Sequence, residues 1–94
     1  MFIISLRYIA PIADVDAHLE AHVAWLKAAI SDGWLLVAGR QVPREGGILI
    51  ARGKKEEIAA KAANDPFVLN DIAEMTLIEF NPSFVAPGLE FLKT

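Results

Sequence analysis

An α+β fold of the ferredoxin-like kind, βαββαβ, is predicted for this chain of 94 residues. Three observations predict it. Segments rich in β-branched and aromatic residues alternate with segments of helical period in the order β-α-β-β-α-β. The two middle strands are separated by Pro43-Arg44-Glu45-Gly46, turn chemistry that makes them antiparallel neighbours. A composition of 54% apolar and 22% charged residues supplies the core of one domain, residues 1–94, and is too small for two.

The elements follow in order. Phe2 to Ile9 reads as a strand with Phe2, Ile4, Leu6 and Tyr8 on one face and Ile3, Ser5, Arg7 and Ile9 on the other. Its apolar start has no basic residues before it, is interrupted by Arg7, and falls far short of the ~20 apolar residues a membrane span needs. A helix is expected from Ala13 or Asp14 to Asp32, with Asp14 as N-cap, Asp16 near the positive end of the dipole and Gly33 as the stop. Trp34 to Val42 and Gly47 to Arg52 read as the hairpin strands, and Lys54 to Ala63 as a short second helix. Pro66 disfavours helical geometry at Asp65, so Asn64-Asp65-Pro66 ends that helix. Phe67 to Ala73 reads as an irregular crossing, and Met75 to Asn81 as the last strand, closed by Pro82.

Two helices cover only one face of a four-stranded antiparallel sheet. Yet Leu35-Leu36-Val37-Ala38 and Ile48-Leu49-Ile50-Ala51 are continuous apolar runs, the pattern of burial on both faces. A second copy of the chain is the economical cover, so a homodimer packed sheet to sheet with C2 symmetry is expected. Phe84, Val85, Leu89, Phe91 and Leu92 make residues 82–94 too apolar for a free tail, and a docking tail is expected.

The formal charge of −3, without a basic stripe, argues against a nucleic-acid surface. No cysteine is present, which removes disulfides and thiolate metal sites and allows a reducing cytoplasm, the expected location. Neither a phosphate-binding glycine motif nor a Rossmann fingerprint nor a nucleophilic Ser or Cys constellation is visible, so nucleotide chemistry is not expected.

At about 100° per residue, Val15, Leu19, His22, Leu26, Ala29 and Ile30 fall in one arc of the first helix. His22 therefore sits in the middle of an apolar face. An imidazole there must find a polar partner, because an unsatisfied buried group costs roughly 1–3 kcal/mol. One reading is a core histidine satisfied by a backbone carbonyl or water. The other is a proton-transfer group paired with a carboxylate, for which Asp65 in the helix-stop turn is the best candidate. Capping its own turn is the competing role for Asp65.

His18 lies one helical turn before His22, a spacing seen in zinc sites, but no third ligand is evident and no metal is expected. Ser5 and Arg7 lie on the second face of the first strand, where Arg7 would bind an anionic group or make an intersubunit ion pair, the latter favoured. Arg40 beside Gly39 would line a pocket mouth, whereas Arg44 reads as exposed. Gly46-Gly47 fits hairpin geometry better than phosphate binding, since no helix N-terminus follows it.

Met1-Phe2-Ile3-Ile4-Ser5-Leu6, Glu20-Ala21-His22 with Trp25-Leu26, the stretch from Ala38 to Ala51, Asn64-Asp65-Pro66-Phe67 and Ile78-Glu79-Phe80-Asn81-Pro82 together resemble the YciI-like (YCII-related) family. The resemblance runs over nearly the whole chain up to Pro82. It implies a ferredoxin-like fold that dimerises in the manner of the dimeric α/β-barrel proteins. It also implies a site in which a helix-one histidine and the aspartate of an Asp-Pro-Phe turn pair, here His22 and Asp65. Some relatives of that family are associated with cofactor-free elimination or dehalogenation of hydroxylated rings, and the fold is shared with muconolactone isomerases. This chain departs from the family's Gly-Pro after the second strand, having Gly39-Arg40 instead.

The functional expectation is a small dimeric enzyme without cofactor. It would perform His/Asp proton transfer (elimination, isomerisation or hydrolysis) on a small cyclic or aromatic compound. His22 and Asp65 are the catalytic candidates, and Ser5, Arg7, Gly39, Arg40, Pro66 and Phe67 the substrate-binding candidates. A dimeric module that binds a small molecule without chemistry is the alternative.

Overall fold

Alternation in the first strand becomes a buried row. In the computed structural model, which describes residues 1–93, Phe2, Ile4 and Leu6 of β1 (Phe2–Tyr8) are buried, with Ile3, Ser5 and Arg7 on the opposite side. β1 lies inside a four-stranded antiparallel sheet of order β2-β3-β1-β4, made with β2 (Leu35–Arg40), β3 (Gly46–Ala51) and β4 (Ala73–Glu79). The fold is α+β, βαββαβ, as the element order predicts. The hairpin reading is borne out by β2–β3 pairing from Leu35↔Ala51 to Arg40↔Gly47, with an irregularity between Leu35 and Val37. Gly46 has to be glycine because an added Cβ would lie 1.7 Å from the Leu6 carbonyl oxygen.

The first helix, α1 (Ile12–Ser31), starts earlier than the sequence suggests. Pro11, not Asp14, is the N-cap, and the Asp14 amide already donates to the Pro11 carbonyl at 2.9 Å. Asp14 instead places its charge in the first turn, where it favours the dipole. The helix does end as expected, with Gly33 just beyond it at φ +88°. Its deepest residues are Val15, His22 and Ala29, a seven-residue spacing that keeps one narrow seam against the sheet. Ile30, expected in that arc, is exposed at the last turn.

The second helix, α2 (Lys55–Ala62), buries Ile58 and Ala62. The stretch expected to be irregular contains a one-turn helix, α3 (Pro66–Leu69). Its cause is local: Asp65 is the N-cap, its side chain accepts from the Phe67 amide, and Pro66 supplies a pre-set first position. Beyond β4, residues 80–93 hold only a short 3₁₀ turn, Glu90–Leu92. Phe84 there is 97% exposed, and Phe91 lies against the Arg52 guanidinium. No helix among the described residues is long and apolar enough to cross a membrane.

Candidate active site

The seam of α1 delivers His22 to one end of the sheet, and α3 delivers Asp65 to meet it. His22 Nδ1 and Asp65 Oδ1 are 2.7 Å apart, both residues being buried. The carboxylate accepts, so Nδ1 carries the proton and donates. The same Oδ1 accepts from the Phe67 amide at 3.0 Å, which fixes the carboxylate to the helix start and thereby aims the imidazole. The Phe67 ring lies flat on the His22 ring, with centroids 3.9 Å apart and planes 6° apart. Trp25 stacks more distantly at 6.4 Å. One hydrogen bond, to a carboxylate itself anchored by the Phe67 amide, and a stacked face leave the imidazole little rotational freedom.

Asp65 Oδ2 has no partner among the described residues, although Asp65 is 1% exposed. A cap needs only an acceptor oxygen, which Ser, Thr or Asn supplies without burying charge. A buried carboxylate with an idle oxygen is a costlier choice than folding requires. Its remaining interaction is with the imidazole.

His22 also lines a cavity of about 160 Å³ between α1 and the sheet. Leu6, Leu19, Val23, Leu26, Leu49 and Phe67 make most of its wall apolar. With Nδ1 committed to Asp65, Nε2 is the ring nitrogen left for a ligand. Tyr8, at the end of the buried row of β1, and Arg40, at the end of β2, are the other polar side chains among its lining residues. Tyr8 stands edge-on to Phe67 at 6.0 Å. Arg44 packs against Tyr8, 6.0 Å from the ring centroid, and reaches Asp16 of α1 at 2.5 Å. The Asp16 carboxylate first, and Tyr8 second, hold the Arg44 guanidinium above its usual pKa. This contact ties the β2–β3 connection to α1 beside the cavity.

The family model for the YCII-related domain matches residues 1–81. The chain belongs to the YCII-related family. Among solved structures, this YCII-related protein is similar to the 5-chloro-2-hydroxyhydroquinone dehydrochlorinase TftG of Burkholderia phenoliruptrix, in complex with 2,5-dihydroxybenzoquinone. The TM-score is 0.70 at 18% identity, over 86% of this chain and 94% of that one, a likeness of fold. A search of curated protein sequences finds no match.

In the YCII-related chain, the sequence candidates divide by strand face. Gly39, Arg40 and Phe67 line the cavity with His22, and Asp65 stands behind the imidazole. Pro66 is half-buried at the start of α3 and is not part of the wall. Ser5 and Arg7 lie across the sheet from the cavity, because Leu6 and Tyr8 take the helix-facing side. Arg7 is paired with Glu74 of its own chain, the residue opposite it on β4. Arg44, read as exposed, is half-buried in its contact with Asp16 and Tyr8. His18 donates from its ring to the Asp14 carbonyl at 2.9 Å. No group of three metal-ligating side chains occurs among the described residues.

Tyr8 and the Arg44–Asp16 contact were not singled out by the sequence reading. Tyr8 had a visible signal, since it ends the helix-facing row of β1. The Arg44–Asp16 pair had none, because 28 residues separate them.

Proposed function

We propose that this protein is an enzyme, working without a cofactor, that moves protons on a small hydroxylated ring. The observation that carries the reading is the buried 2.7 Å His22–Asp65 pair at the wall of an apolar cavity. Asp65 holds the proton on Nδ1 and stabilises the imidazolium, so Nε2 faces the ligand as a base. Nε2 takes the proton of a ring hydroxyl, and the O–H electron pair becomes a carbonyl. The displaced ring pair takes a proton back at carbon from the imidazolium, which completes an isomerisation. Where that carbon bears a leaving group, Nε2 then takes a second hydroxyl proton and the group departs with its bonding pair, an elimination. TftG, with the same fold, is named for such an elimination.

The test is a panel of hydroxylated rings, with and without halide leaving groups, starting from 5-chloro-2-hydroxyhydroquinone. Turnover by the wild type should fall by about 10²–10⁴ in His22→Gln and in Asp65→Asn, the usual worth of general acid–base help. Full turnover in either folded variant contradicts the reading.

The proposal includes a homodimer and a cytoplasmic setting. Support for the dimer comes from the sheet face opposite the helices. Val37, Ile50, Ile3 and Ile78 fall in register across all four strands, and Val37 and Ile78 are 58% and 50% exposed. A second copy, related by a two-fold axis, would cover this row with its own.

A further inference from the structure

We propose that the ring bound in this cavity carries a carboxylate, and that Arg40 is the residue that selects it. The inference rests on the proposed site and adds the substrate class to it.

Arg40 is the arginine left unoccupied among the described residues. Arg7 is bonded to Glu74, Arg44 to Asp16, and Arg52 lies on the Gly33 carbonyl and the Phe91 ring. The Arg40 guanidinium has neither a hydrogen bond nor an ion pair to any described residue, although the chain carries 12 acidic residues. Register fixes the side of the sheet on which it stands. Arg40 pairs with Gly47, and Gly47 with Leu6, whose side chain is in the cavity wall. Arg40 thus belongs to the helix-facing side and lines the cavity, with a glycine as its cross-strand neighbour. The neighbour matters because a larger side chain at 47 would occupy the space beside the guanidinium.

The remaining chemistry follows from the wall. Cavities of about 150 Å³ with aliphatic linings take up benzene, so the volume of about 160 Å³ fits one six-membered ring. The aliphatic and Phe67 side chains recognise the ring, while Tyr8 and His22 serve its hydroxyl. A guanidinium at the same mouth is costly to cover unless it is paired, and its planar fork matches a carboxylate in two bonds. A neutral substituent gains no such pair.

The experiment compares 4-hydroxybenzoate with 4-hydroxybenzamide, which match in shape and differ in charge. Each is titrated into the full chain while the NMR signals of His22 and Tyr8 are followed. The wild type should prefer the benzoate by about tenfold or more, the worth of a charge-assisted hydrogen bond, whereas Arg40→Gln should bring the two within about twofold. Arg40→Lys should keep part of the preference. Equal binding by the wild type, an undiminished preference in Arg40→Gln, or no effect of either probe on the His22 signals would overturn the inference. His22→Gln separates this claim from the catalytic one. Retention of the benzoate preference supports selection by Arg40, whether or not turnover depends on His22. Loss of the preference in His22→Gln assigns selection to the imidazole and overturns it.

Discussion

His22 and Asp65 each answer a need that folding creates. The imidazole on a buried seam must have a partner, and the turn after α2 must have a cap. One carboxylate oxygen meets both needs, accepting from Nδ1 and from the Phe67 amide. Asp65→Ala should remove both bonds, leave α3 uncapped and cost about 3 kcal/mol, read from the urea midpoint. Asp65→Asn keeps an acceptor oxygen in place and should stay within about 1–2 kcal/mol of the wild type while losing turnover. Equal stability of the two variants would show that Asp65 does not hold the turn. His22 was legible from helical period, because a polar residue in an apolar arc is conspicuous. The turn marked Asp65 as a candidate, but the distance between the two was not legible. That distance depends on how α1 and α3 pack, which no local pattern encodes.

Among the elements, the strands and both long helices follow from alternation, helical period and glycine stops. α3 was missed because its signal is a single side-chain cap followed by proline, read only as the end of α2. The start of α1 was misplaced for a related reason: Pro11 caps by its fixed backbone and offers no side chain to recognise. The Gly46 position has a sharper consequence. A Cβ there meets the Leu6 carbonyl and not a flexible side chain, so β3 cannot keep its register beside β1 without a backbone shift. Gly46→Ala should therefore destabilise by about 3 kcal/mol or more, at or beyond the upper end of overpacking costs, in the same urea measurement. A wild-type midpoint would mean that the β1–β3 pairing differs at this end.

For the whole molecule, the sheet has one face under its helices and one face carrying an apolar row in register. Continuous apolar runs in β2 and β3 made that second face legible, although the runs do not say what covers it. The ion pair of Arg7 with Glu74 and the polar Ser5–Thr76 pairing lie farther along the same face. A sheet-to-sheet dimer predicts a two-chain mass at micromolar concentration in sedimentation. Ile50→Glu, which puts a charge in the middle of the row, should shift it to one chain with the fold retained. A wild-type monomer would contradict the dimer and leave the cavity geometry untouched.

The proposed chemistry depends on one arrangement, in which Asp65 holds the His22 proton on Nδ1 so that Nε2 is open to a ligand. It is tested most directly by ¹⁵N NMR of the His22 ring in its neutral form. The expected result is a protonated Nδ1, a bare Nε2, and a shift of the Nε2 resonance when a hydroxylated ring is bound. A proton found on Nε2 with Nδ1 bare would contradict it.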